Sequence, residues 1–336
     1  MADHIIRIPN QVTARTMISF SRSFDIPACD RLIVDFTGVS WCEPFGLLYL
    51  ARILKRSTAD VEFPVTAKSR DTNFRSYAEH MGFFRYIGFA RGNHPGEAGG
   101  SSRYLPIQRW DVGQFRRDAG VLPFGEVVDN EASRICRVML QTNKGEAFDA
   151  VQYCLREILR NSIEHSRGDE VLFCAQYWPN SGTVEFAVLD DGIGLRRSLR
   201  DNERLDIDND ADAVKMALLP GVSRVDQAGE PTNEVWDNSG FGLYVTSNLC
   251  ASTGEFRLVS GKAGVRLGRN IERQPFASRF RGTGVQMRLE VPDGRGARKL
   301  LRAILKRGAR QATILQGRRR ITPSVASQML ASDWDD

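Results

Sequence analysis

The sequence predicts a mixed α/β (α+β) protein with more than one folded unit. Three observations carry that expectation. Leu32–Phe36 is a short apolar run rich in β-formers, and a helical pattern follows it at Phe45–Leu54. A helix-then-strand succession lies at Leu155–His165 and Thr183–Gly194. Between the two, residues 91–103 (RGNHPGEAGGSSR) are rich in Gly, Ser and Pro with few apolar side chains, which reads as linker or long loop.

The 336 residues suffice for two ordinary domains. Hydrophobic residues make up 42%, enough for a core in each half, and the 26% of charged residues is a normal solvated surface. A net charge of +5 is too modest at this length to argue for nucleic acid by itself. The six cysteines form no C-x-x-C pair, and Cys154 and Cys250 sit inside apolar helical patterns. That is the usage of small buried hydrophobes in a reducing compartment, not of a disulfide framework or a zinc site. The N-terminal stretch MADHIIRIPN lacks a basic segment followed by a long apolar one, and no window reads as a membrane span. A cytoplasmic protein without a membrane partner is the expectation.

In chain order, the strand Leu32–Phe36 ends at Thr37–Gly38, and Pro44 fits the first turn of the following helix, where its missing N–H costs nothing. After the linker, the second unit begins between Tyr104 and Glu126. Residues 196–238 are polar, with Asp and Asn clusters, and read as a long excursion between two motifs. Beyond Pro292 the chain turns basic. Leu300, Leu301, Ile304 and Leu305 recur at helical spacing among Arg298, Lys299, Arg302, Lys306, Arg307 and Arg310, with Arg318–Arg320 following. This reads as an amphipathic basic helix that packs its apolar stripe on the preceding unit.

Four motifs carry chemistry. In the first helix, Val151, Leu155, Ile158, Leu159 and Ile163 give the apolar period, while Glu157, Asn161 and His165 are each four apart on one flank. A carboxamide oxygen suits Mg²⁺, which takes few protein ligands, and a carboxylate one turn away can accept a proton. A solvated helix flank would carry the same residues. The strand Thr183–Asp190 ends in D-x-G-x-G, with Asp190, Gly192 and Gly194. A strand-end carboxylate can accept from an exocyclic amine, and the glycines permit close backbone approach; an ordinary Asp-Gly turn is the plain alternative. Third, the loop Asn238-Ser239-Gly240-Phe241-Gly242-Leu243 opens a helix, a junction that offers free N–H groups to phosphate. Fourth, Arg281–Pro292 reads as a turn containing Thr283 and then an alternating strand.

Taken in order, these motifs resemble the GHKL ATPase family, shared by gyrase, heat-shock chaperone ATPases, histidine kinases and MutL. The resemblance covers about the middle half of the chain. It implies a Bergerat-type α/β sandwich with helices on one face of a mixed sheet. It also implies ATP and Mg²⁺ as cofactors, Glu157 as catalytic base, Asn161 as the Mg²⁺ ligand and Asp190 as the adenine acceptor. Gly192, Gly194, Gly240, Gly242, Leu243 and Thr283 would shape the site, and residues 196–239 would form a lid over the nucleotide.

The pattern Glu157, Asn161, His165 looks like the anti-sigma serine kinases within that family. No histidine of this chain sits on a long helical hairpin upstream, so a classical sensor kinase is not expected. Val34–Leu47 (VDFTGVSWCEPFGL) looks like the strand–loop–helix of STAS domains, a match spanning roughly residues 5–90. In the antagonists of that family a phosphorylatable serine precedes Gly-Leu. Here Pro44 and Phe45 occupy that stretch, and neither can accept phosphate.

The expected partition is therefore an STAS-like regulatory domain at 1–90, a linker at 91–125, a GHKL ATP-binding domain at 126–295 and a basic amphipathic tail at 296–336. The expected activity is ATP hydrolysis or transfer of the γ-phosphate to a serine or threonine of a partner protein. Glu157 tilts the reading to an enzyme, and the alternative is a non-catalytic nucleotide-gated interaction module. Expected partners are a regulatory protein and, within the chain, an STAS–ATPase contact; a homodimer and a nucleic-acid contact through the basic tail stay open.

Overall fold

The strand that ends at Asp190 is apolar on both sides, and the computed structural model shows what each side packs against. The structure describes residues 3–118, 124–164, 166–203, 205–222, 240–290 and 296–315. Its N-terminal part runs β1 (Asp3–Arg7), β2 (Gln11–Val12), α1 (Ala14–Ser23), β3 (Arg31–Asp35), β4 (Trp41–Cys42), α2 (Pro44–Ser57), β5 (Val65–Lys68), α3 (Asn73–His80) and α4 (Phe83–Tyr86). Thr13 caps α1 in a reciprocal box with Thr16, and Pro44 opens α2. The strands β1, β3 and β5 pair in parallel in the order β1-β3-β5, as helical crossovers require.

The remainder runs β6 (Tyr104–Asp111), α5 (Val112–Asp118), α6 (Phe124–Leu140), α7 (Glu146–Glu164), β7 (Glu170–Trp178), β8 (Thr183–Asp190), α8 (Gly194–Leu199), α9 (Asp210–Ala217), α10 (Gly242–Thr253), β9 (Gly254–Gly268), β10 (Ile271–Glu290) and α11 (Ala297–Leu315). Five of its strands form one sheet in the order β6-β7-β8-β10-β9. The sheet differs from the mixed sheet expected, because every ladder among the described strands is antiparallel. Short returns enforce this: β7 and β8, and β9 and β10, are joined too tightly for a parallel crossover. The segment 91–125 also contains more than linker. β6 lies inside it as an edge strand, with Pro106 at a register shift between Leu105 and Gln108, where a missing N–H is tolerated.

Successive residues of a strand face opposite sides, and here both sides are dry. Val184, Phe186 and Val188 pack with the core under α6, α7 and α10. Ala187 and Leu189 join Leu172, Cys174, Val259 and Phe280 in a second core that includes Phe45, Tyr49 and Phe84 of the N-terminal part. Helix α2 lies across β7, β8 and β10, and α1 touches β10. Helices therefore cover both faces of the sheet, where the sequence led us to expect one. α11 packs on α7 and α10, burying Leu301, Ile304, Leu305 and Ala312. Among the described residues no helix is long and apolar enough to cross a membrane.

Candidate functional site

Between the helical layer and the sheet, on the face away from α2, lies a cavity of about 860 Å³, its open mouth included. Its wall takes Glu157 and Asn161 from α7, Asp190 from the end of β8, Gly194 from the start of α8, Gly240, Gly242 and Leu243 around the start of α10, and Thr283 from β10. Of the site residues expected from the sequence that the structure describes, Gly192 stands off the cavity wall.

The helix α7 turns its polar flank to the cavity because its other positions are spent on the core. Val151, Leu155, Leu159 and Ile163 are buried, which leaves Glu157 and Asn161 one turn apart at the rim of that face. The Asn161 carboxamide makes no hydrogen bond among the described residues. Glu157 is mostly buried, with Arg156 Nη2 at 3.4 Å from Oε1. Burial raises its pKa above the usual glutamate value, and Arg156 and Arg160 act against that rise. His165, the last member of the spaced trio, lies outside the described residues.

Asp190 is 3% exposed. Its Oδ1 accepts the N–H of Gly192 at 2.9 Å and the N–H of Thr283 at 3.1 Å. Both bonds end on one oxygen, so Oδ2 is left uncommitted among the described residues. Burial pushes its pKa up to about 7, against the pull of those two N–H groups. Gly192 acts from behind: it donates to Asp190, and any side chain there would run into the Ser166 carbonyl. Thr283 reaches Asp190 through its backbone while its side of β10 lines the cavity.

Gly194 and Gly240 hold φ of +75° and +68°, turns that favour glycine. Gly240 accepts from the N–H of Gly221, which ties the loop before α10 to the end of the α9 segment. The first turn of α10 carries no side-chain cap, so its N–H groups have no intrahelical acceptor. Within the expected lid, 196–239, Leu199, Ala217 and Val222 line the cavity, while residues 204 and 223–239 lie outside the described residues.

Several wall residues were not expected at the site. Ser162, Ser166 and Ser198 place side chains on it, and Ile158 and Val285 supply apolar area. Ser260 staples the site from outside, its Oγ accepting from Leu195 N–H at 2.9 Å and donating to the Gly282 carbonyl at 3.0 Å. A lone serine carries no pattern, so only its place in the fold identifies it. Ser162 alone had a signal, since it follows Asn161 on α7. Among the described residues no cluster of three or more His, Cys, Asp or Glu could hold a metal by itself. No family model matches the chain, and no curated protein matches it.

Proposed function

We propose that the protein is a GHKL-type regulator that binds Mg-ATP in this cavity and hydrolyses it or passes its γ-phosphate to a serine or threonine of a partner protein. On this reading residues 126–295 are a Bergerat-type sandwich and residues 1–90 an STAS-like unit docked on its rear face. The single observation that carries it is the convergence of Glu157, Asn161, Asp190, Gly240, Gly242 and Thr283 on one cavity from four elements and the loop before α10. Six free cysteines suit the reducing, cytoplasmic setting that belongs to the same reading.

The residues present fit both cofactors. The free Oδ2 of Asp190 is an acceptor on a buried residue of the cavity wall, where an exocyclic adenine amine would gain from it. The uncapped first turn of α10 offers N–H groups and a positive dipole end to phosphate oxygens. Asn161 has a free carboxamide oxygen one turn from Glu157 and is the residue that would hold Mg²⁺. When bound, Mg²⁺ supplies neutralisation of phosphate charge. Glu157 then takes the proton of the attacking water or hydroxyl. Its burial makes it a stronger base than a free glutamate, because the environment favours the protonated form.

The test is incubation of the purified full chain with ATP labelled at the γ-phosphate, alone and with candidate partner proteins. Free labelled phosphate means hydrolysis, and label on a protein means phosphotransfer. Label retained on ATP that binds tightly means a nucleotide-gated module. No binding by calorimetry, or affinity unchanged in Asp190→Ala, removes the nucleotide assignment. Turnover that survives Glu157→Ala removes Glu157 as the base.

A further inference from the structure

The C-terminal helix α11 has two stripes. Leu301, Ile304, Leu305, Gly308 and Ala312 are buried against α7 and α10. The opposite stripe exposes Lys299, Ala303, Lys306, Arg307, Arg310 and Ile314. The contact with α10 is close. A Cβ on residue 308 would lie 2.6 Å from Tyr244 Cε1 and 3.1 Å from Phe241 Cε1, so Gly308 seats the helix directly on the first turn of α10.

The four exposed cations have no ion-pair partner among the described residues. Other helices answer their arginines in place: Arg75 with Glu79, Arg134 with Glu131, Arg160 with Glu164. Helix α11 cannot, because the sequence has no Asp or Glu between Asp293 and Asp333. Unanswered like charges along one stripe repel one another and weaken the helix. A bound polyanion would relieve that repulsion.

We propose that this stripe binds the phosphate backbone of duplex nucleic acid. From Lys299 to Arg310 the helix spans about 16 Å. A duplex of that length carries roughly ten phosphates, so each of the four cations has a phosphate within its reach. No exposed aromatic side chain interrupts the stripe, so stacking of unpaired bases has no platform, and the duplex is the fitting form. Base edges are not read, since contacts to phosphate position without specifying sequence. The inference goes beyond the nucleotide reading and does not depend on it.

The experiment is fluorescence anisotropy of a labelled 20-base-pair DNA duplex titrated with the full-length protein, without ATP, at several salt concentrations. Four phosphate contacts give a slope of log K on log salt of roughly −3 to −4. The triple change Lys306→Gln, Arg307→Gln, Arg310→Gln lies outside the cavity and leaves the buried stripe intact. It is expected to weaken binding at least tenfold at low salt and to flatten the slope to about −1, with a melting temperature no lower than the parent's. Equal affinity in the triple variant overturns the proposal, because the binding then belongs elsewhere on the chain. So does a slope near zero, a preference of more than tenfold for the single strand, or binding confined to phosphatidylserine vesicles.

Discussion

Gly242 lies against the carboxylate of Glu157: a Cβ at residue 242 would stand 2.6 Å from Oε2 and 3.0 Å from the glutamate's own Cβ. The first turn of α10 and the proposed base on α7 are therefore in direct contact, and the absent side chain is what lets them meet. Gly242→Ala gives α10 a better helix former, worth up to about 1 kcal/mol, while pushing Glu157 aside. The expected result is a chain that melts within a few degrees of the original yet turns over ATP at least tenfold more slowly, since a misplacement of about 1 Å is costly to proton transfer. Phosphate release and a thermal melt on the same preparation check it. Unimpaired turnover would show that the carboxylate's position is immaterial.

Buried carboxylates set the pH dependence of stability. Glu185 on β8 is fully buried and accepts the N–H of Phe45 at 2.9 Å, with Arg288 at 3.5 Å from its other oxygen. Burial first, then the charge of Glu43, pushes its pKa up to about 7, outweighing Phe45 and Arg288. Asp190 is likewise pushed up to about 7 by burial. In both, the native state holds a proton that the unfolded chain releases, so this stability is present below the ordinary carboxylate range and is lost as pH rises through about 7. Glu170 is opposite: burial raises it, but Arg52, Tyr86, Arg109 and Lys55 outweigh that and hold it at about 2. Its contribution is present above the ordinary glutamate pKa and is lost as pH falls through about 2. Glu185→Gln keeps an acceptor for Phe45 and has no proton to lose. The variant should be as stable as the parent near pH 4.5 and more stable than the parent at about pH 8, by an amount on the order of a few kcal/mol read from denaturant unfolding. A difference that stays flat across that range would contradict it.

How much of this was legible follows from which interactions are local. Strand β8 read correctly as apolar because burial on both faces leaves a nearly continuous run, and α7 showed its period because one flank faces the core. The grouping of Glu157, Asn161 and Asp190 came from motif order alone. What covers the rear of the sheet was not legible, since α2 reaches it from more than a hundred residues upstream and nothing in β8 names its partner. Glu185 was the one available hint, an acidic residue in an otherwise apolar strand. β6 was hidden by Pro106, which argues against a strand unless the strand is an edge.

Arg52 holds the two parts of the chain together at depth. It lies on α2, is buried, and pairs through Nη1 with Glu170 at the start of β7, with Asp191 at 3.8 Å. Its Nε and Nη2 have no hydrogen-bond partner among the described residues. Removing one member of a buried pair leaves an uncompensated charge, although Glu170 retains Tyr86, Arg109 and Lys55. Arg52→Ala is therefore expected to cost about 3 kcal/mol, the lower end for such a loss. The loosening should be local. Hydrogen exchange is expected to quicken in α2 and leave α10 protected, and equal exchange in both helices would mean that the pair does not anchor the N-terminal part.

On the proposed STAS-like reading, Pro44 and Phe45 occupy the stretch where the antagonists of that family carry their phosphorylated serine, and the placement of Phe45 bears on whether the chain could modify itself there. The ring is completely buried, stacked on Tyr49 at 5.7 Å between centroids, and Tyr49 in turn stacks on Phe280 of β10 at 4.8 Å. It packs on the face of the sheet that bears Leu189 and Val259, whereas the cavity opens on the face that bears Thr283 and Val285. The sheet itself thus separates residue 45 from the proposed γ-phosphate. Phe45→Ser restores a hydroxyl at that position and removes the ring from the core. It should destabilise the chain by roughly 3–5 kcal/mol, the cost of a large cavity, and should still take up no label from γ-labelled ATP at residue 45. A thermal melt measures the first effect and phosphopeptide mapping the second. Label on Ser at that position, in protein that remains folded, would mean that α2 leaves the sheet and presents its N-terminus to the cavity.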